Sequence, residues 1–363
     1  MDLKKIVVQD FRNIELQELD FSPDINCIYG NNGEGKTNLL DAIWYLSMTK
    51  SAFSSSDRFN FRYGTEGFAL SGLYSMQDAP DTRISIKVDG GGKKVKRDDK
   101  AYTRLSDHIG LLPVVMVSPA DVSMVNETGE ERRKFANAVL SQMSAEYLNA
   151  VQNYTRLLMQ RNAVLKNGDP DWQLLEVIDG QMETWAVPVF EMRRDLARDL
   201  SPLAKEYYEQ ISGGKEDVGI TYKSDLEHGR LADILRSRRE RDSILKYTSA
   251  GIQRDDFIFE MNGWPIRRCG SQGQQKSFLV ALKFAQYRLM QKGSSRAPIL
   301  LLDDLFDKLD MGRVQNLLKI VSGNGFGQIF ISDSNKVRLD GILGGISAEC
   351  RFFETVGGVF TRK

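Results

Sequence analysis

The residues whose types and spacing best suit chemistry are Gly30-Asn31-Asn32-Gly33-Glu34-Gly35-Lys36-Thr37. They match G-x-x-x-x-G-K-[ST], a spacing with a physical cause. Glycines let backbone N–H groups turn inward around phosphate oxygens, and a helix N-terminus adds partial positive charge. Lys36 can then reach the outer phosphates, and Thr37 offers a hydroxyl to Mg²⁺. The apolar run Ile25 to Tyr29 precedes the loop, and Leu39, Leu40, Ile43 and Trp44 follow at helical spacing, so strand, loop and helix come in the required order. The ligands expected are ATP and Mg²⁺. A metal carboxylate should come from Pro298-Ile299-Leu300-Leu301-Leu302-Asp303-Asp304, a buried-strand pattern ending in two acids. Asp303 would stand at the carboxyl edge of the sheet beside Mg²⁺, and Asp304 where a general base polarises the attacking water. Adjacent residues of a strand project to opposite sides, so the two acids are expected to do different work. Asp304 is the shorter carboxylate, and slow hydrolysis is the expectation.

Several elements must position these residues. Strands are expected at Leu3 to Val8, Ile14 to Phe21, Ile25 to Tyr29, Phe68 to Tyr74, Arg83 to Val88 and Lys93 to Lys96, the last two joined by the turn Asp89-Gly90-Gly91-Gly92. Val139, Met143, Tyr147, Val151, Tyr154 and Leu158 recur every three or four residues and read as one helix, broken at Lys166-Asn167-Gly168-Asp169-Pro170. A second helix runs from Trp172 to about Ile211, stops at Gly213-Gly214, and carries Pro188 and Pro202 where a kink or interruption is expected. Two helices of about 35 residues each would form a hairpin-like arm or lobe. Strand patterns resume at Asp256 to Met261, Ile299 to Leu302, Gln328 to Ser332 and Arg351 to Glu354. The sheet is thus built from both ends of the chain, with a helical insertion between them.

Composition sets the outer bounds. With 363 residues, 41% hydrophobic and 27% charged, the chain suits a folded protein of two domains or one large α/β unit with an insertion. Lys plus Arg and Asp plus Glu both number 49, so a nucleic-acid partner would need a local basic surface. Cys27, Cys269 and Cys350 form no C-x-x-C pair, and His108 and His228 stand alone, which argues against zinc modules and disulfide scaffolds. No apolar run reaches membrane-spanning length, and MDLKKIVVQDF has charges where a signal peptide would be apolar. A cytosolic protein with no membrane contact is expected.

Ser271-Gln272-Gly273-Gln274-Gln275-Lys276, leading into the helical run Phe278, Leu279, Ala281 and Leu282, resembles the signature motif of ABC-type ATPases. In that class Ser271 and Gly273 would bind the γ-phosphate held by a second subunit, so that ATP joins two heads. Leu309-Asp310, after Phe306-Asp307-Lys308, looks like the loop that faces the partner. The interval from Lys36 to Ser271 is too long for a transporter subunit and too short for a long coiled coil. Together with Phe11-Arg12-Asn13, Ser118-Pro119-Ala120-Asp121, Glu131-Arg132-Arg133 and Gly251-Ile252-Gln253-Arg254-Asp255-Asp256, it resembles the RecF family over essentially the whole chain. The resemblance implies an α/β P-loop NTPase of ABC-ATPase type, its discontinuous head formed by 1–125 and 246–363 around a mainly helical lobe at 126–245. It places Arg12 among the nucleotide-binding residues. It also implies an ATP-dependent homodimer that binds single-stranded, double-stranded or gapped DNA and works with RecO- and RecR-type mediators to load RecA, with weak, DNA-stimulated ATP hydrolysis as a switch. The rival is an SMC-like ATPase coupled to a nuclease or defence system, which a nuclease assay without partners would separate.

This sequence departs from that pattern in three places. Gln253 stands where the family usually has histidine, and no glutamine between Leu112 and Asp121 reads as a Q-loop. Ile331-Ser332-Asp333-Ser334 offers hydroxyls and an acid in place of a switch histidine, or is a plain strand-end turn. Candidate DNA-contacting groups form two basic clusters, Lys93, Lys94 and Lys96 (with Arg97 and Lys100), and Arg236, Arg238 and Arg239 (with Arg241). Taken alone, each cluster reads first as a solvated face. Aromatics are not interleaved with either, so no stacking platform for single strands is visible there, and sequence-neutral backbone contact is expected.

Overall fold

The computed structural model describes residues 1–363 except 77, 78, 168, 169, 295, 307, 308, 324, 337, 338, 340 and 342–348, with backbone alone at 318 and 322. The N-terminal third runs β1 (Asp2–Phe11), β2 (Ile14–Asp20), β3 (Ile25–Tyr29), α1 (Lys36–Met48), β4 (Phe68–Met76), β5 (Ala79–Asp89), β6 (Gly92–Arg97), β7 (Lys100–Ala101) and β8 (Val114–Val117). The middle runs α2 (Ser123–Asn126), α3 (Gly129–Met143), α4 (Ala145–Lys166), α5 (Trp172–Ser212), β9 (Val218–Lys223), α6 (Leu231–Ser237) and α7 (Arg239–Leu245). The remainder is β10 (Asp256–Met261), β11 (Trp264–Pro265), α8 (Ile266–Cys269), α9 (Gln272–Lys292), β12 (Ile299–Leu302), α10 (Met311–Ser322), β13 (Ile329–Asp333), β14 (Cys350–Val356) and β15 (Val359–Arg362).

The strands sort into three sheets. One is antiparallel, in the order β2-β1-β4-β5-β6-β7, and the central sheet has the order β15-β14-β3-β13-β12-β8. In the central sheet β14, β3, β13, β12 and β8 are parallel. Its members come from both ends of the chain, as the pattern predicts. Helix α1 lies between the two large sheets and is buried along almost its whole length. Buried Gln328 joins these layers, because its side-chain amide accepts from Leu3 N and donates to Leu3 O and Ser22 O. The third sheet, β11-β10-β9, pairs a strand that follows α5 with one just before the signature segment.

The helical middle differs from the expectation in two respects. The stripe from Val139 to Leu158 is two helices, not one, because the chain leaves helical geometry at Ser144, whose hydroxyl accepts from Tyr147 N and caps α4. Periodicity persists across such a break because both helices turn an apolar side to the same core, so spacing alone does not locate it. Pro188 and Pro202 do not interrupt α5, which continues to Ser212 and is capped by Gly213. Its buried face packs along α4 and α9, with Tyr207 edge-on to Phe284 at 5.6 Å; that packing outweighs the missing backbone bonds. The Asp89-to-Gly92 turn pairs β5 with β6 as expected. Strands β7, β8, β9, β11 and β15 escape the pattern reading. β8 is four apolar residues without alternation, and β7, β11 and β15 have four residues or fewer.

Candidate nucleotide site

The loop after β3 takes its shape from backbone that L side chains resist. Gly35 has φ 110°, and a Cβ there would lie 2.8 Å from Asn13 Oδ1; a side chain would both strain the turn and displace Asn13. At Gly30 a Cβ would collide with Thr355 O on β14. Lys36 opens α1 and is buried. Its ammonium donates to Gly30 O at 2.9 Å, Asn31 O at 3.1 Å and Asn32 Oδ1 at 3.4 Å, so the charge sits within the curve of the loop. No acidic side chain occupies the first turn of α1, leaving its positive end available to an anion.

Order within the central sheet brings the second motif to the first. β13 separates β3 from β12, and the three carboxyl ends bring side chains together. Thr37 Oγ1 donates to both Asp303 oxygens, at 3.0 and 2.9 Å. Ser332, at the end of β13, donates to Asp303 Oδ1 at 2.7 Å and accepts from Asp304 N at 3.0 Å. Burial pushes the Asp303 carboxyl above the usual carboxylate range, opposed by the hydroxyls of Ser332 and Thr37. A hydroxyl, a carboxylate and a lysine converging at a glycine loop are the donor set that Mg²⁺ and a triphosphate require. The residues present fit that pair.

Asp304 differs from the expectation in its backbone. The acids do not alternate along a strand, since β12 ends at Leu302 and Asp304 adopts φ 43°. Asp and Asn enter this region more readily than other non-glycine residues. The bond from its N–H to Ser332 holds it there. The separation of roles thus rests on a turn and not on pleat.

Arg12 lies beside the loop, but its guanidinium is committed. It donates to Asp41 Oδ2 at 2.7 Å, Ser51 Oγ at 3.0 Å and Asn60 Oδ1 at 3.3 Å, and to Asn38 Oδ1 at 3.2 Å. Asn38 in turn donates to Asn13 Oδ1 at 2.7 Å. Arg12 therefore braces the outer side of α1. Glu34 has a role that the motif alone does not reveal. Its carbonyl accepts from Thr355 Oγ1 at 3.0 Å and Gly358 N at 2.9 Å, and its carboxylate from Gly357 N. The β14–β15 turn thus grips the loop from behind; the sequence signal was the Gly357-Gly358 pair between two short extended runs.

The signature segment lies apart. Ser271 caps α9 through a reciprocal pair, its Oγ accepting from Gln274 N while its N–H donates to Gln274 Oε1. It is exposed, and among the described residues no hydrogen bond joins Ser271 or Gly273 to the glycine loop. Asp310 caps α10; Asp307 and Lys308 lie outside the described residues. Gln253 accepts from the Tyr154 hydroxyl and donates to Ala250 O at 2.6 Å, tying α4 to the following segment. Nearby, Arg132 holds Asp256 with two parallel bonds of 2.7 and 3.0 Å. Arg193 reaches Asp255 at 2.8 Å, and burial raises that carboxyl despite the neighbouring charge. The first pair joins the Glu131-Arg132-Arg133 segment to the Gly251-to-Asp256 segment, and the second ties α5 to the latter.

The basic clusters separate on folding. Lys93 points inward, donating to Thr49 O at 2.6 Å and pairing with Asp57 at 2.9 Å. Lys94 and Lys96 face outward on β6, opposite Lys87 and Ser85 of β5, and Arg83 is exposed on that same side of β5. The outer face therefore gains Arg83 and Lys87, which sequence grouping missed because they belong to a neighbouring strand. In the second cluster Arg236 pairs with Glu176 at 3.0 Å, Arg238 with Asp225 at 3.3 Å and Arg239 with Asp179 at 3.6 Å. Each of these three arginines has an acid beside it, and Arg236 stays exposed together with its partner.

Comparison with known proteins agrees with this architecture. The family described as RecF/RecN/SMC N terminal domain matches residues 2–340. The chain is 44% identical over 358 residues to the DNA replication and repair protein RecF of Parabacteroides distasonis, covering 99% of this chain and 98% of that one. It is 42% identical over 360 residues to the protein of the same name from Bacteroides fragilis, with 99% and 97% covered. Among solved structures, the recombination mediator protein RecF with ATP, in the RecFOR pathway, superposes with a TM-score of 0.89 at 27% identity, covering 100% of this chain and 97% of the other. An Smc head bound to the C-winged helix domain of ScpA shares the fold at a TM-score of 0.60 and 14% identity, with 100% and 98% covered. Among the described residues no helix is long and apolar enough to cross a membrane.

Proposed function

Since this chain belongs to the RecF family of the RecF/RecN/SMC ATPases, we propose that it is an ATP-operated DNA-binding protein of recombinational repair and replication restart. Two heads close on ATP, hold DNA at gaps, and aid RecA loading with RecO- and RecR-type mediators; slow hydrolysis releases them. The observation that supports ATP operation is the contact of Thr37 with Asp303 across the β3-β13-β12 edge. Bound ATP with Mg²⁺ supplies a transferable phosphoryl group and the countercharge for it. Lys36 orients the outer phosphates, while Thr37 and Asp303 hold the metal side. Ser332 fixes the Asp303 carboxylate, and Asp304 takes the proton of the attacking water.

The two acids give the direct test. Asp304→Asn keeps a residue that tolerates the left-handed turn and removes only the base. It should bind ATP, accumulate as a dimer, and turn over about 10²- to 10⁴-fold more slowly, the usual contribution of a general base. Asp303→Asn replaces an acceptor of two hydroxyl bonds with a group that is half donor, and should weaken Mg²⁺-dependent nucleotide binding. Wild-type turnover in both variants, read by phosphate release, would remove both assignments.

DNA is assigned to the outer face of β5–β6. Lys94→Glu with Lys96→Glu should weaken binding to duplex and lower the slope of log affinity against log salt by roughly 0.9 for each phosphate that the two lysines neutralise. Lys93→Ala and Arg238→Ala should instead lower the melting temperature and leave that slope unchanged. Equal slopes for the wild type and the double variant, in an anisotropy titration across salt, would reject this face.

A further inference from the structure

The turn between β14 and β15 reaches the glycine loop from the far end of the chain. Gly357 and Gly358 have φ 57° and 84°, the left-handed pair that a tight two-residue hairpin turn demands. Val356 and Val359 pair on either side of it, and β14 runs parallel to β3 with Glu354 opposite Tyr29. Thr355, the next residue, is buried and stands against Gly30, where the loop begins. Phe360 N donates to Gln17 Oε1 at 2.9 Å, which fixes the returning strand to β2. A Cβ on Gly358 would collide with Asn13 O, and Asn13 is also the residue that lies against Gly35. The turn is therefore held on both sides and packed close to the loop.

Three hydrogen bonds run from this turn to a single residue of the loop. Glu34 O accepts from Thr355 Oγ1 at 3.0 Å and from Gly358 N at 2.9 Å, and the Glu34 carboxylate accepts from Gly357 N. The bonds to the carbonyl also set the direction of the next N–H. No described peptide bond is cis, and in a planar trans peptide the C=O and the following N–H point in opposite directions. Holding Glu34 O toward the hairpin thus turns the Gly35 N–H away from it. Gly35 is buried, and its N–H meets no acceptor among the described residues. An unpaired amide in a buried residue is uncommon, and at the start of a helix it is suited to an anion. The bond from Gly357 N keeps the Glu34 carboxylate on the hairpin side, where its charge opposes a phosphate least.

We infer that Thr355 and the Gly357-Gly358 turn are positioning residues for the nucleotide, which aim the Gly35 N–H into the curve of the loop at a phosphate oxygen. This rests on the reading of the loop as the ATP site and adds to that site a hydroxyl 321 residues further along the chain. The hairpin touches no phosphate itself. It acts through the peptide between Glu34 and Gly35.

The test is an equilibrium titration of the full chain with a fluorescent ATP analogue, and with inorganic tripolyphosphate as competitor. Thr355→Val keeps the shape of the side chain and loses its donor. It should bind the ATP analogue about three- to tenfold more weakly, the net contribution of one neutral hydrogen bond, and tripolyphosphate more weakly by the same factor, because the amide meets phosphate and not base. Thr355→Ser keeps the hydroxyl and should restore both affinities. Glu34 O retains its bond from Gly358 N in every variant, so melting temperatures near wild type are expected. Thr355→Ala, which sets no methyl against that carbonyl, repeats the test if the Val variant folds poorly. Wild-type ATP affinity in the Val and Ala variants, or a loss in Thr355→Ser as large as theirs, overturns the positioning role. A loss confined to the ATP analogue, with tripolyphosphate affinity unchanged, overturns it as well. A wild-type chain that binds neither ligand overturns the ATP reading with it.

Discussion

Lys36→Ala should abolish tight ATP binding, lowering affinity by about 10²-fold or more, with loss of ATP-dependent closure. The lysine is nearly buried and its ammonium already points into the curve of the loop, where it bonds Gly30 O and Asn31 O. Charge-assisted hydrogen bonds contribute about 1.5–3 kcal/mol each, and the outer phosphates would take more than one from this group. The substitution also removes the bonds that hold the loop to its own helix, so the remaining glycine backbone loses its preorganised curve. The fold should survive, because α1 is anchored by Leu39 through Met48 between two sheets and not by its first residue. Equilibrium binding of a fluorescent ATP analogue, with light scattering for dimerisation, reads both effects. ATP-dependent dimerisation at wild-type nucleotide concentration would remove the loop from the nucleotide site.

The sequence legibility of this site follows from how local each part is. The glycine loop is read directly, because its strand, turn and helix are contiguous and each residue type has one physical use. Asp303 is almost as legible, as the first acid after an all-apolar run. Ser332 is half legible: its place at the end of a late strand is visible, but its bond to Asp303 depends on β13 lying between β3 and β12, a matter of sheet order that no local pattern carries. The grip of Gly357 and Gly358 on Glu34 is of the same kind, with partners more than 300 residues apart. Surface function is the least legible. Counting charges along the chain grouped Lys93 with Lys94, although pleat sends one inward and the other outward, and it grouped arginines that fold onto acids of other helices.

Ser271→Arg should separate two properties that Lys36→Ala loses together. The serine caps α9 at an exposed N-terminus with no acidic residue in the first turn, an end suited to an anion. It makes no hydrogen bond to the glycine loop of its own chain among the described residues, so the phosphate it would meet belongs to a second copy. Arginine there adds bulk at the closing surface and leaves Lys36, Thr37 and Asp303 untouched. Monomer affinity for ATP should therefore stay within about twofold, while dimer formation and the ATP dependence of DNA affinity are lost, because fewer phosphates are reached at once. The substitution also deletes the cap, at a cost of about 0.5–2 kcal/mol. Ser271→Ala loses the same cap without bulk and isolates that contribution; it should melt like the Arg variant but dimerise better. Mixing Ser271→Arg with Lys36→Ala chains tests the geometry further. Such a pair keeps one composite site, formed by the good loop of the first and the good helix end of the second, so partial ATP-dependent association should return on mixing. If Ser271→Arg dimerises with ATP as the wild type does, or loses monomer binding as completely as Lys36→Ala, the helix end does not act across an interface.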